Sequence, residues 1–500
     1  MKPTILLTTI LSLSFMLQAQ TPDTGIFTQH GDIGKVNIPG KATYNQDNQT
    51  YTLTGSGENV WFDTDAFHYA WRQVSGNFIL QARMKFEGTG QHSHRKMGWM
   101  LRKNKTPGSP HFSAVVHGDG LTSFQYRKTQ DGPTVELRSP VESPDVVRME
   151  RQEDTLIMSV ARHGEPFDTI NLPLRGETEE MMAGLFICAH DSTNTETATF
   201  SNVRFVKPAP DDLVPYEDFL GSHLEVLDMQ TGHRKKVFTS PISIQAPNWT
   251  PNNKWLIYNS EGMLFRIPTD GGIPRQINTD FATSNNNDHV LTFDGERMGI
   301  SHHAEEDDGN SVIYHLPVEG GTPERITPKS PSYLHGWSPD NQYVIYTAAR
   351  NGQYDIYKKA VDSQEEEIQL TNTETLDDGS EYSPNGEYIY FNSARTGTMQ
   401  LWRMRPDGSE QEQLTFDEYN DWFPHVSPDG KELVFISYGP EIPAGDHPFY
   451  KRVYIRRMPA DGGEPEVVAY LYGGQGTINV PSWSPCGRYI SFVSNSGVWW

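Results

Sequence analysis

Three residues in the C-terminal half of the chain, His335, Glu381 and His425, stand at matching places in a repeated unit, each two or three residues ahead of a tight turn. The corresponding places in all units give Gln245 and Asn248, Asp288 and His289, His335, Asp378 and Glu381, Asp421 and His425, and Gln475, Asn479 and Ser482. Residues of these types support two chemistries. Imidazoles and carboxylates hold a divalent metal that acidifies a bound water or a carbon-bound proton, with His289, His335 and His425 as candidate ligands. Without metal, His335, Glu381 and His425 supply a general acid and base. A histidine at this place can equally hydrogen-bond a neighbouring unit and do no chemistry. Candidate substrate contacts are His289, Asp421, Gln475, Asn479, Arg350 and Arg395, the two arginines gripping either a substrate or turn carbonyls.

Positioning these residues requires the repeat itself. DWFPHVSPDGKELVF, from Asp421, pairs an apolar strand with a turn on Ser427, Pro428, Asp429 and Gly430 and then a second strand. Related units start at Pro247, Asp288, Leu334, Gly379 and Val480. Their fourth turn residues, Asn253, Gly295, Asn341, Gly386, Gly430 and Gly487, are 42 to 46 residues apart until a last interval of 57. Proline presets φ at the second turn position, and glycine or asparagine accepts a left-handed fourth. Two further apolar runs follow each turn pair, so each unit predicts four strands, the content of one propeller blade. The sixth unit ends after two strands, while HLEVLDM from His223 and the run from Lys235 supply two unclaimed strands ahead of the first unit. A ring of six blades closed by both ends of the segment follows, because closure removes the exposed sheet edge.

The SPDG-type turns, the Ser393-Ala394-Arg395-Thr396-Gly397 link and the Leu401-Trp402-Arg403-Met404 strand resemble the TolB-like (PD40) propeller family over residues 217–500. That family includes a periplasmic protein-binding scaffold, peptidase gating domains and oligogalacturonate lyases. In the lyases the resemblance implies a metal held by a Gln-x-x-His-x-His pattern. Here Gln475 matches the glutamine, but Ile478 and Val480 stand where the two histidines belong. The insertions at residues 438–448 and 471–481 depart most from the repeat and account for the long last interval; such departures from a rigid scaffold are where function tends to sit.

Residues 27–206 alternate apolar and polar residues in strand-length runs with no helical periodicity, which predicts an antiparallel sandwich. GNFILQARMKF, KMGWMLR and ATFSNVRF resemble the concanavalin-like (laminin-G-like, DUF1349-type) jelly rolls. The resemblance implies saccharide binding on a concave sheet, with Trp99, Arg102 and Tyr126 as contacts and Trp61, Trp71 and Arg127 beside them. Aromatic faces stack on sugar rings and arginine donates hydrogen bonds, although alternate strand residues also simply fill a core. The face carrying Arg102 and Tyr126 is the expected sugar surface. Residues 207–216 are a stiff polar linker.

The fold expected is therefore all-β: signal peptide 1–20, jelly roll 27–206, linker 207–216 and propeller 217–500. Lys2 followed by the apolar run 5–17 and Gln18-Ala19-Gln20 reads as an export signal, so the protein is expected to be periplasmic or secreted, without a membrane span. The 500 residues carry a formal charge of −23, which argues against a nucleic-acid partner. Two cysteines, Cys188 in LFICAH and Cys486 in a turn, predict no structural disulfide. Two functions fit. One is an exported protein that binds a glycan or oligosaccharide and processes it as hydrolase or lyase in the propeller channel, with or without a divalent metal. The other is a non-catalytic scaffold for an envelope protein partner.

Overall fold

The architecture is that of a computed structural model, which describes residues 24–174 and 180–497. The proposed export signal lies outside the described residues. Among them the one helical element is a single 3-10 turn, Glu305–Asp307. No described helix is long and apolar enough to cross a membrane.

The N-terminal part forms two antiparallel seven-stranded sheets. One runs Gln29–Ile33, Phe67–Val74, Met181–Cys188, Lys96–Arg102, His111–His117, Thr122–Arg127, Val135–Arg138. The other runs Asp168–Pro173, Thr155–Ala161, Val146–Gln152, Phe78–Phe86, Asp191–Val206, Thr50–Gly57, Lys41–Asn45. Trp99, Leu101 and Phe112 of the first share a core with Leu80, Met149 and Phe200 of the second. Phe67–Val74 and Met181–Cys188 do not show strand alternation, because both faces of the first sheet are covered: Phe67, Tyr69, Met182 and Phe186 pack in a second apolar cluster with Val60.

The C-terminal part is a six-bladed propeller. Five blades are four-stranded sheets whose innermost strands are Gln245–Trp249, Asn285–Leu291, Ser332–Trp337, Asp377–Tyr382 and Asn420–Val426. The sixth joins His233–Ser240 and Gly221–Asp228 to Tyr489–Ser496, with Trp483 bridged to Ile490 on the inside. The ring closes as the strand count requires. At all six repeat turns the fourth residue is left-handed, with φ from 59° to 74°. The first turn residue ties the loop through its hydroxyl: Ser427 donates to Asp429 at 2.7 Å and accepts from the Glu432 amide at 2.9 Å.

The linker does not hold the two parts at a distance. Gln81 donates to the Tyr470 carbonyl, Arg452 pairs with Glu150 at 2.7 Å, and the Ala209 amide donates to the Tyr472 hydroxyl. At the centre of this contact Glu225, fully buried, accepts from Arg204 of the N-terminal sheets and from Arg234 of the propeller at 2.8 Å. Cys188, buried, and Cys486, exposed, are both free thiols.

Candidate functional site

Every four-stranded blade carries a β-bulge in its innermost strand, and the bulge decides which residues reach the channel mouth. In Ser332–Trp337, Leu334 faces Tyr346 and Gly336 faces Ile345, so His335 is the extra residue. In Asp377–Tyr382, Gly379 and Ser380 together face the one residue between Tyr390 and Asn392. The residues of these strands that line the mouth, among them Gln245, Asp288, His335, Asp378 and Phe423, lie at or ahead of the bulge. Residues after it bond to neighbouring blades. Asn248 donates to the Pro481 carbonyl, the Trp337 indole donates to the Val290 carbonyl, and His289 lies between the Asn287 and Ile257 carbonyls at 3.1 and 3.2 Å.

That division separates the expected catalytic trio. His425 Nδ1 meets Glu381 Oε2 at 2.6 Å and its Nε2 meets the Ile478 carbonyl, while Glu381 Oε1 accepts the Val426 amide at 3.0 Å. Glu381 and His425 thus form an interblade clasp with their polar atoms occupied, and His335 pairs elsewhere. Replacing Glu381 by Gln removes a charge-assisted bond in a buried position, so it is expected to lower stability by about 1–3 kcal/mol and to leave ligand binding at the mouth intact. Denaturant unfolding beside a binding titration reads both outcomes.

Among the described residues His289, His335 and His425 do not form a three-residue group within ligating distance; His289 and His425 lie instead against the Ile257 and Ile478 carbonyls of neighbouring blades. Asp421 is buried against Arg456 at 2.6 Å and Ser437 at 2.7 Å, and away from the mouth. Arg350 is held by Glu367 at 2.7 Å, and Arg395 by Asp377 at 3.0 Å. Neither arginine lines the mouth.

The residues that do converge are Asp288, His335 and Asp378, from three consecutive blades, at a cavity of about 1170 Å³. His335 Nε2 lies 2.9 Å from Asp378 Oδ1, which also accepts the Thr347 hydroxyl at 2.6 Å. Burial opposes ionisation of Asp378, but His335 and the Thr347 hydroxyl outweigh it and bring the carboxyl down to about 2. Burial likewise disfavours the imidazolium of His335, yet Asp378 and Asp288 raise its pKa above the usual value. Asp288 is pushed up to about 6, chiefly by burial, with His335 opposing. Gln475 and Asn479 stand in the cavity wall, joined at 2.8 Å. The described lining residues include no lysine or arginine.

His447 also lines this cavity, edge-on to the Trp422 ring at 4.5 Å. It comes from the insertion at 438–448, and a histidine in the segment that breaks the repeat is the signal that points to it. The run Asn285-Asn286-Asn287 is a second signal, since asparagine is poor in strands. Asn286 donates to Asp288 at 2.9 Å, and Asn287 to Gln245 at 3.1 Å.

The expected sugar contacts of the N-terminal sheets fare differently. Trp99 is fully buried in the shared core and donates to the Val147 carbonyl. Arg102, also fully buried, bonds Asp65 at 2.7 Å together with Arg127. Tyr126 packs on the core side with Phe112, whereas Arg102 follows Met100 and Gly98 on the opposite face. Arg102 and Tyr126 therefore do not share a face, and neither Trp99 nor Arg102 is open to a ligand.

Residues 335–498 match PD40, the TolB beta propeller domain. The uncharacterized protein Atu1656 of Agrobacterium fabrum is 45% identical over 273 residues, covering 54% of this chain and 92% of the relative. The chain belongs to the TolB β-propeller family. A solved structure of a provisionally named TolB from Agrobacterium tumefaciens is 44% identical, with a TM-score of 0.53, and covers 56% of this chain and all of the other. TolB from Acinetobacter baumannii is 16% identical with a TM-score of 0.41, over 65% and 79% of the two chains. Both Agrobacterium matches span little more than half of this chain, so the TolB propeller here carries a large additional part.

Proposed function

We propose that the chain is an exported, non-catalytic binding protein of the TolB type, and that the propeller mouth receives a polar, neutral or cationic segment of a partner protein. The lining of the mouth carries this reading. Its amides match the donors and acceptors of an extended backbone, Asp288 and Asp378 favour an amine, and the absence of basic residues among the described lining disfavours anionic ligands. Tyr216 and Phe219, exposed at the rim, offer apolar contact to the flanking chain. Membership of the TolB family supports a partner in the cell envelope, and the N-terminal apolar leader supports a periplasmic or secreted location.

A peptide array probed with the full chain, followed by calorimetry on the best ligands, tests the proposal. Peptides presenting a free amine or a basic side chain are expected to bind, and Asp378→Asn to weaken them about tenfold or more. Affinity is expected to rise with pH through about 6, where Asp288 ionises, and Asp288→Asn to flatten that rise. Failure of all peptides, or binding indifferent to both substitutions, would remove the assignment.

A second reading has one observation in its favour: a carboxyl titrating at about 6 lies beside His335, a pairing suited to acid–base chemistry near neutrality. In that reading the mouth binds and processes a neutral saccharide, with the sandwich as a concanavalin-like partner domain. An acidic oligosaccharide fits poorly, since the expected carboxylate grips, Arg350 and Arg395, are spent on Glu367 and Asp377. A neutral-glycan array with the same two variants separates the readings.

A further inference from the structure

A second group of ionisable side chains lies far from the propeller mouth in the chain, at one end of the N-terminal sandwich. Three neighbouring strands end there together: Lys96 is paired on one side with Cys188 and on the other with His117. The segments running out of these ends bring His92 and His94 ahead of Lys96, Asp119 just after His117, and His190 just after Cys188. The rings of His92 and His190 are 4.2 Å apart, and His94 lies 5.7 Å from both His117 and His190. His94 Nδ1 is 3.8 Å from Asp119 Oδ2.

We propose that His94, His117 and Asp119, with His92 and His190 beside them, form a binding site for a divalent transition-metal ion of the zinc class. One donor atom from each of the three lies within 4.8 Å of the others. Two imidazoles and a carboxylate suit zinc better than calcium or magnesium, which prefer all-oxygen shells. Bonds of about 2.0–2.2 Å need donors somewhat closer than this, and the two that must move are free to do so, since the His94 and Asp119 side chains are 51% and 39% exposed.

His117 supplies the second, independent observation. It is 6% exposed, and its Nδ1 is buried with no hydrogen-bond partner. Its Nε2 faces the side-chain amide of Gln125 at 3.1 Å, whose Oε1 is likewise unpartnered. Turning that amide over lets Oε1 accept the Nε2–H, which leaves the Nδ1 lone pair free. An imidazole whose second nitrogen donates to a carbonyl is the usual arrangement behind a metal-bound histidine. Lys96 is the opposing charge; its ammonium is drawn to Asn59 Oδ1 at 3.0 Å and the His94 carbonyl at 3.3 Å, with His190 Nδ1 at 3.4 Å. Three protein ligands near solvent leave a fourth position open to water or to a ligand.

The test uses the full chain without an affinity tag, stripped with chelator and titrated with Zn²⁺ against a chromophoric competitor. One ion per chain is expected, with His94→Ala and Asp119→Asn each weakening the affinity about tenfold or more. His315→Ala, a histidine of the propeller, should leave the affinity unchanged. Co²⁺ should give a visible d–d band with wild type that is lost in His94→Ala. Both altered residues are exposed, so the variants are expected to keep the wild-type fold, which circular dichroism checks. Wild-type protein that binds no Zn²⁺, or variants that bind it as tightly as wild type, would overturn the proposal.

Discussion

Deleting residues 221–240 is expected to abolish the cooperative unfolding of the propeller, not merely to shorten it. The segment supplies the two outer strands of the sixth blade, and Gly221–Asp228 pairs along its whole length with Tyr489–Ser496. Removing it unpairs that ladder and uncovers Val493, Ile490 and Phe492, all essentially buried. It also leaves two blades of the ring facing a gap, with a new free sheet edge open to aggregation. Thermal melting with size-exclusion chromatography reads the result; an unmoved midpoint and a monomeric peak would refute closure by both ends. Two milder changes keep the test interpretable if the deletion does not express. Leu224→Ala and Leu227→Ala each remove a fully buried side chain and should cost about 2–5 kcal/mol.

Glu225→Gln carries the second large effect, because one carboxylate serves two arginines from different parts of the chain. Arg204, Arg234 and Glu225 are all buried, and the Ser494 hydroxyl also bonds Glu225. Neutralising the acid leaves two buried guanidinium groups short of a counter-charge, and breaking such a pair costs about 3–5 kcal/mol. The pH dependence has a definite sign. Burial alone would raise the Glu225 carboxyl, but Arg204 and Arg234 hold it well below the usual value. A depressed carboxyl contributes stability that is present above its unfolded pKa, near 4.3 for glutamate, and is lost as pH falls towards the folded value. Wild type should therefore lose stability on acidification below about pH 4 more steeply than Glu225→Gln. Urea unfolding of both proteins at several pH values checks this, and parallel curves would remove Glu225 from the account. The same substitution should loosen the two N-terminal sheets against the propeller, visible as faster amide exchange in residues 233–240.

Local residue chemistry alone specifies the propeller to the level of single turns. A Ser-Pro-Asp-Gly turn needs a left-handed fourth residue, so Gly430 and Asn341 announce the same backbone from different side chains. Ring closure was also legible, since the strand count left two strands over at one end and two missing at the other. Those inferences rest on local chemistry repeated at a fixed period, which a single chain displays directly. The site was legible only in part. Gln475, Asn479, Asp288, Asp378 and His335 are recognisable as ring positions, but their grouping is not. Counted from the turn, Glu381 and His425 are in step and His335 is one position out, but the bulges at Gly379 and at His335 each insert one residue, so this count does not decide which side chain faces the mouth. Such bulges depend on hydrogen-bond register with the next strand, which alternation along one strand does not record. His447 arrives from an insertion with no period to follow. Arg204 and Arg234 meet on Glu225 only because two separately patterned parts of the chain dock. Buried polar groups far apart in sequence find their partners through tertiary packing, and that packing decided which charges are structural and which face a ligand.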